Sequence, residues 1–154
     1  MNILIIYDSL YGNTEKIAQA VAEALTPSAP SNVVKIIRAD EAKISDIESI
    51  DLLIIGSPTH GGRPSPAIKA FLDKIPADGL KNIKVTAFDT HLKIFILKIF
   101  GYAAGRIVKE LQGKGGQLVA APAGFIVSGT KGPLGQNEME RAAGWAKEIL
   151  KNNQ

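Results

Sequence analysis

Continuous apolar runs of strand length alternate along this chain with stretches whose apolar residues recur every three or four positions. The first run, NILIIY (Asn2–Tyr7), has no polar interruption after its opening residue, and DLLIIGS (51–57) has the same character. Runs of this kind predict central strands covered on both faces. VVKII (33–37) and KVTAF (84–88) are shorter versions, and QLVAA with GFIVSG is either one last strand broken around Pro122 or two short ones. Between them lie amphipathic helices. Ile17, Val21 and Leu25 fall at i, i+4 and i+8, with Glu15, Lys16, Gln19 and Glu23 facing away. Residues 67–75 put Ile68, Phe71, Leu72 and Ile75 on one face, with Pro66 suited to the first turn. Ala103, Ile107 and Leu111 make a third stripe, and Met139, Ala142, Ala146, Ile149 and Leu150 a fourth.

Strands alternating with helices of this length predict βαβ units, hence a parallel sheet with helices on both faces. No repeat or linker divides the 154 residues, so residues 1–154 are expected to form a single domain. Ligands of such sheets bind beyond the carboxyl ends of the strands, where the strand order reverses. The loops after the first, third and fourth long strands are the places to look.

Composition narrows the chemistry. There is no cysteine, which excludes disulfides, thiolate metal sites and cysteine nucleophiles. Two histidines, His60 and His91, are too few for a histidine metal site, and no metal is expected. The net charge is +3 with lysine and arginine scattered, not clustered, which argues against nucleic acid. The amino terminus runs directly into a strand, so a cytoplasmic location is expected.

The loop after the first strand reads SLYGNT (9–14). Free amides at a helix start and the helix dipole favour an anion there. Ser9, Asn13 and Thr14 add donors and Gly12 permits a tight turn, although Asn and Thr also serve as plain helix caps. A nucleoside-triphosphate loop needs Gly-Lys-Ser/Thr, and a dinucleotide loop G-x-G-x-x-G; neither is present. Asp40, after the second strand, is thus read as a cap or turn residue, not a ribose ligand. A donor-rich, mostly uncharged cup suits a terminal monophosphate. The third-strand loop, GSPTHGGRPSP (56–66), is long for a mere connection and pairs stiff prolines with two adjacent glycines. The fourth, FDTHLK (88–93), is short and polar.

S-L-Y-G-N-T after the first strand and G-S-P-T-H-G-G after the third, set in this alternation over essentially the whole chain, resemble the short-chain flavodoxin family. The resemblance implies an α/β, flavodoxin-like three-layer sandwich: a five-stranded parallel sheet in order 2-1-3-4-5 with helices on both faces. It implies non-covalent FMN, its phosphate held by Ser9, Tyr11, Gly12, Asn13 and Thr14. Ser57, Pro58, Thr59, His60, Gly61 and Gly62 are then expected on one side of the flavin ring, and Asp89, Thr90 and His91 on the other. Where such carriers usually stack Trp or Tyr on the ring, these loops offer His60 and His91, and the chain is basic where many of the family are acidic. A phosphoacceptor receiver is excluded, because GSPT stands where that fold needs an aspartate.

The expected function is electron transfer between redox partner proteins, or to a small electron acceptor, with the chemistry supplied by the flavin and no catalytic acid or base. The alternatives are an FMN-dependent NAD(P)H:acceptor reductase of the quinone type and a flavin-free interaction module. LKIFILKIF (92–100) has seven apolar residues in nine and no clean helical face. It reads as a buried helix start, some of whose Phe95, Ile96, Leu97, Ile99 and Phe100 reach the surface to meet a partner, a second subunit or a membrane surface.

Overall fold

The structure is a computed structural model, and it describes residues 1–26, 31–93 and 102–154. The strands are β1 (Asn2–Tyr7), β2 (Val33–Arg38), β3 (Leu52–Pro58), β4 (Lys84–Leu92), β5 (Gln117–Leu118) and β6 (Ala123–Val127). The helices are α1 (Asn13–Leu25), α2 (Pro66–Lys74), α3 (Ala103–Gly113) and α4 (Glu138–Asn152), with a short 3₁₀ turn at Ile44–Ile47. All strand pairs are parallel, in the order β2-β1-β3-β4-β5, and β6 pairs with β4 beyond β5. The fifth position is thus shared by two short strands, the second of the two arrangements expected around Pro122.

Strand parity divides the core into two layers. Leu4, Ile6, Leu53, Ile55, Val85 and Ala87 point to one face, against Ile68, Phe71 and Leu72 of α2 and Ile107 and Leu111 of α3. Ile3, Ile5, Leu52, Ile54 and Phe88 point to the other, against Ile17, Val21 and Leu25 of α1 and Ala142, Trp145, Ala146 and Ile149 of α4. The fourth stripe needs one correction: Met139 is exposed, and Trp145 is the large side chain that α4 buries. Trp145 meets Phe88 and Phe125 edge-on at 6.0 and 6.3 Å. Its indole N–H donates to Ala121 O at 3.0 Å, while the Thr86 hydroxyl donates to Ala120 O at 3.0 Å. Side chains therefore satisfy the carbonyls between β5 and β6, where strand pairing lapses.

The larger correction concerns β4. It runs four residues past the apolar run, so Asp89, Thr90 and His91 lie on the strand, not in a loop after it. Ser57 pairs with Asp89 and Pro58 with Thr90, so β3 carries β4 outward to the site. Of the greasy stretch 92–100, only Leu92 and Lys93 are described; the interface expected there lies outside the described residues.

Candidate functional site

At the end of β1 the chain turns into α1 through Gly12, which takes φ 89°. That left-handed conformation is cheap only for glycine. Gly12 brings no capping side chain, so the first-turn amides of α1 are left for a group from elsewhere. The approach is held by a chain of bonds. Asp8 accepts from Ser9 N at 3.0 Å, and Ser9 Oγ accepts from Gly12 N at 3.0 Å. Arg38 of β2 donates to Ser9 O at 3.2 Å and lies 3.4 Å from Asp8. Beneath, Tyr7 OH donates to Glu15 at 3.0 Å; burial, and then this bond, raise the phenol above its ordinary value.

Because Ser9 Oγ already accepts, its hydrogen is left to donate outward. Thr14 and Thr90 share a buried bond of 2.8 Å between their hydroxyls. Whichever donates, the other keeps a hydrogen for a third group. Asn13 packs its carboxamide on Gly132 of the last loop, where a Cβ would lie 2.7 Å from Asn13 Oδ1.

After β3, Ser57 is buried and fully engaged: its Oγ accepts from Ser65 N at 2.9 Å and donates to Pro58 O at 2.8 Å. Ser65 in turn caps α2, accepting from Ile68 N. His60 and Arg63 close a two-residue turn, with His60 N to Arg63 O 2.8 Å and Arg63 N to His60 O 3.0 Å. Gly61 and Gly62 at its centre take φ 57° and 78°, the left-handed pair that such turns require. The turn thereby holds His60 out over the site.

Asp89, wholly buried, faces the opposite layer from Thr90. Its carboxylate accepts from Ala104 N at 2.9 Å and from His91 Nδ1 at 2.5 Å. Thr59 Oγ1 accepts from Ala103 N at 3.1 Å. Tyr102, the capping residue of α3, offers no side-chain cap. Asp89 of β4 and Thr59, the residue after β3, supply it instead, and the helix dipole favours the buried carboxylate. With Nδ1 turned to Asp89, His91 leaves Nε2 for a group in the cup. Its ring stacks on Tyr102 at 4.0 Å and 20°, and it lies over Gly124, where a Cβ would come within 2.5 Å of His91 Cε1.

These loops enclose a cup of ≈ 140 Å³. Ser9, Tyr11, Asn13, Thr14, Pro58, Thr59, His60, Thr90 and His91 line it. Gly12, Ser57, Gly61, Gly62 and Asp89 do not; they shape the loops from behind. Sequence reasoning missed Leu10, Leu92, Val127 and Thr130, which complete the lining. For Thr130 a signal existed: SGT after β6 repeats, at the carboxyl end of another strand, the small-hydroxyl-and-glycine composition of the first loop. At 140 Å³ the cup is smaller than the roughly 300–1,000 Å³ of a complete ligand site. Its volume suits one end of a ligand, and His60 and His91 are part of its lining. Among the described residues no group of histidines and carboxylates could hold a metal ion.

Comparison with known proteins agrees with this geometry. The model of the Flavodoxin family matches residues 5–145. A flavodoxin of Aquifex aeolicus is 40% identical over 76 residues, 49% of this chain and 40% of that one. An NAD(P)H dehydrogenase (quinone) of Azorhizobium caulinodans is 34% identical over 90 residues, 47% of this chain and 45% of that one. The chain thus matches less than half the length of these curated relatives. Oxidised flavodoxin 1 of Bacillus cereus superposes with a TM-score of 0.81 over 98% of both chains at 21% identity, which establishes the fold. A family match over nearly the whole chain and the sheet order agree: this chain belongs to the flavodoxin family.

Proposed function

We propose that residues 1–154 act as one flavodoxin-like domain that holds FMN in this cup and passes electrons between redox partners in the cytoplasm. The observation that carries the reading is the set of oriented, uncharged donors around the first turn of α1: Ser9 Oγ, the Thr14–Thr90 pair and the uncapped amides behind Gly12. A dianionic phosphate accepts from all of them, and the helix dipole adds to the attraction. Bound FMN supplies reversible one- and two-electron chemistry. The protein's part is to fix the phosphate, to place His60 and His91 beside the ring and to keep Asp89 buried behind His91. Self-association through residues 92–100 belongs to the proposal too, and sedimentation at several concentrations tests it.

Titration of the purified protein with FMN and with riboflavin decides the main point. FMN should bind with changes in its visible spectrum, and riboflavin far more weakly. Asn13→Ala with Thr14→Ala should weaken FMN by roughly 1.5–3 kcal/mol for each hydrogen bond lost to the charged phosphate. Equal affinity for riboflavin and FMN would remove the phosphate from the cup.

The second reading is an NAD(P)H-dependent quinone reductase, favoured by the likeness to the Azorhizobium protein and by the two histidines, His60 and His91, in the lining of the cup. Oxidation of NAD(P)H by the FMN-loaded protein alone, with a quinone as acceptor, would select it over the carrier.

A further inference from the structure

The cup shares a wall with a larger groove of ≈ 730 Å³ that runs between the start of α2 and the outer face of α3. The wall has two parts. Across the His60–Arg63 turn, His60 lines the cup and Arg63 the groove; across the ring stack, His91 lines the cup and Tyr102 the groove. Arg63, Arg106 and Lys109 line the groove and are exposed. Lys69 lines it as well and pairs with Asp73 at 2.7 Å and Glu110 at 3.0 Å, bonds that raise its pKa. Glu110 is the one carboxylate among the described residues lining either cavity, and it is engaged with Lys69. On the far side of the cup Lys131 carries the positive rim onward, its ammonium 5.9 Å from the centre of the Tyr11 ring.

We propose that this basic rim docks an electron-transfer protein with an acidic edge, one of whose carboxylate-bearing loops enters the groove. The proposal rests on the reading of the cup as the flavin site, since it places the partner next to the electrons it exchanges. A cleft whose lining carries an excess of one sign of charge concentrates the field, speeds encounter with an opposite surface and turns away a like one. The groove's arginines and lysine set the partner's carboxylates across Tyr102 and His91 from the cup. The net charge of +3 acts in the same direction at longer range.

Binding of the full chain, loaded with FMN and again without it, can be followed against two oxidised probes of similar size: an acidic plant-type [2Fe–2S] ferredoxin and a basic cytochrome c. The ferredoxin should bind, more weakly as salt is raised, and the cytochrome should not. Arg106→Glu with Lys109→Glu should slow ferredoxin association by roughly tenfold or more. Lys147→Glu with Lys151→Glu, the same change in net charge on α4 in the opposite layer, should change it far less. The proposal would be overturned by a preference for the cytochrome, by equal losses in both variants, or by stoichiometric displacement of the ferredoxin by inorganic pyrophosphate, which would make the groove a small-anion site. The two-probe comparison needs no variant, so a variant that fails to fold does not blunt the test. Ferredoxin binding without FMN binding would sink the flavin reading alone; FMN binding without ferredoxin binding would sink this one.

Discussion

Asp89 closes two bonds at once, to Ala104 N and to His91 Nδ1. Asp89→Ala leaves both donors without that acceptor, and at about 1–3 kcal/mol for each unsatisfied buried group the fold should lose several kcal/mol. Asp89→Asn should lose less, because its carbonyl oxygen can still accept from Ala104. Its amide would then face His91 Nδ1, which must become an acceptor and move the ring proton to Nε2. Thermal unfolding measures the first effect, and ¹H–¹⁵N spectra of the His91 ring the second; an unchanged tautomer in the Asn variant would mean the carboxylate does not set it. Asp46 offers a pH test. The backbone N–H of Lys43 at 2.8 Å, and then Lys35 at 3.1 Å, lower its pKa. A lowered folded-state value gives stability that is present above the unfolded value and lost as pH falls through the folded one. Asp46→Ala should therefore cost about 1 kcal/mol near neutral pH, as loss of a cap does. That gap should close in acid.

Among the elements, β4 shows where the sequence is legible and where it is not. KVTAF reads as a strand because Val85, Ala87 and Phe88 make it mostly apolar, with the β-branched Thr86 among them. DTHL continues the same strand with polar residues on both faces: Thr90 toward Thr14 of α1, Asp89 toward Ala104 of α3. A period-2 pattern cannot show in residues whose two neighbours are both polar sites. The partners that keep them in the sheet come from distant segments of the chain. Met139 failed for the opposite reason: it fits the period of α4 but stands in the first turn of the helix, where it is exposed. Gly56 tests the register of β3 on β4. It pairs with Phe88, and an added Cβ would overlap the Phe88 ring. Gly56→Ala should cost about 1–3 kcal/mol from overpacking. Gly61→Ala has open space but a φ of 57°. It should cost about 1–2 kcal/mol as left-handed strain, and disturb FMN binding more than Gly56→Ala for equal stability lost. Unfolding curves paired with FMN titrations separate the two.

At the scale of the whole molecule, the alternation of strands and helices and the loops that form the cup were legible because strand runs, helix periods and loop composition agreed, while the order of strands was legible only through the likeness of SLYGNT and GSPTHGG to the flavodoxin family. The basic groove was not. Arg63, Lys69, Arg106 and Lys109 are spread over more than forty residues, and their convergence is a product of packing α2 beside α3. Its consequence for the flavin follows from charge. Reduction adds negative charge to the ring, and the cations around the mouth lower the energy of the reduced form. One unit charge about 10 Å away is worth roughly 0.4–1.7 kcal/mol for effective dielectrics between 80 and 20. Salt reduces that figure for exposed side chains. Asp89 contributes little opposing field, since His91 and the amino end of α3 face its carboxylate. Arg63→Glu and Lys131→Glu should each lower the midpoint potential of bound FMN, because each replaces an attraction with a repulsion. The shift should shrink as salt is added. Lys147→Glu on the opposite layer should leave the potential nearly unmoved. Spectroelectrochemical titration of the three variants reads this directly. Equal potentials in all three would place the cations of the mouth too far from the ring, or too well screened, to tune it.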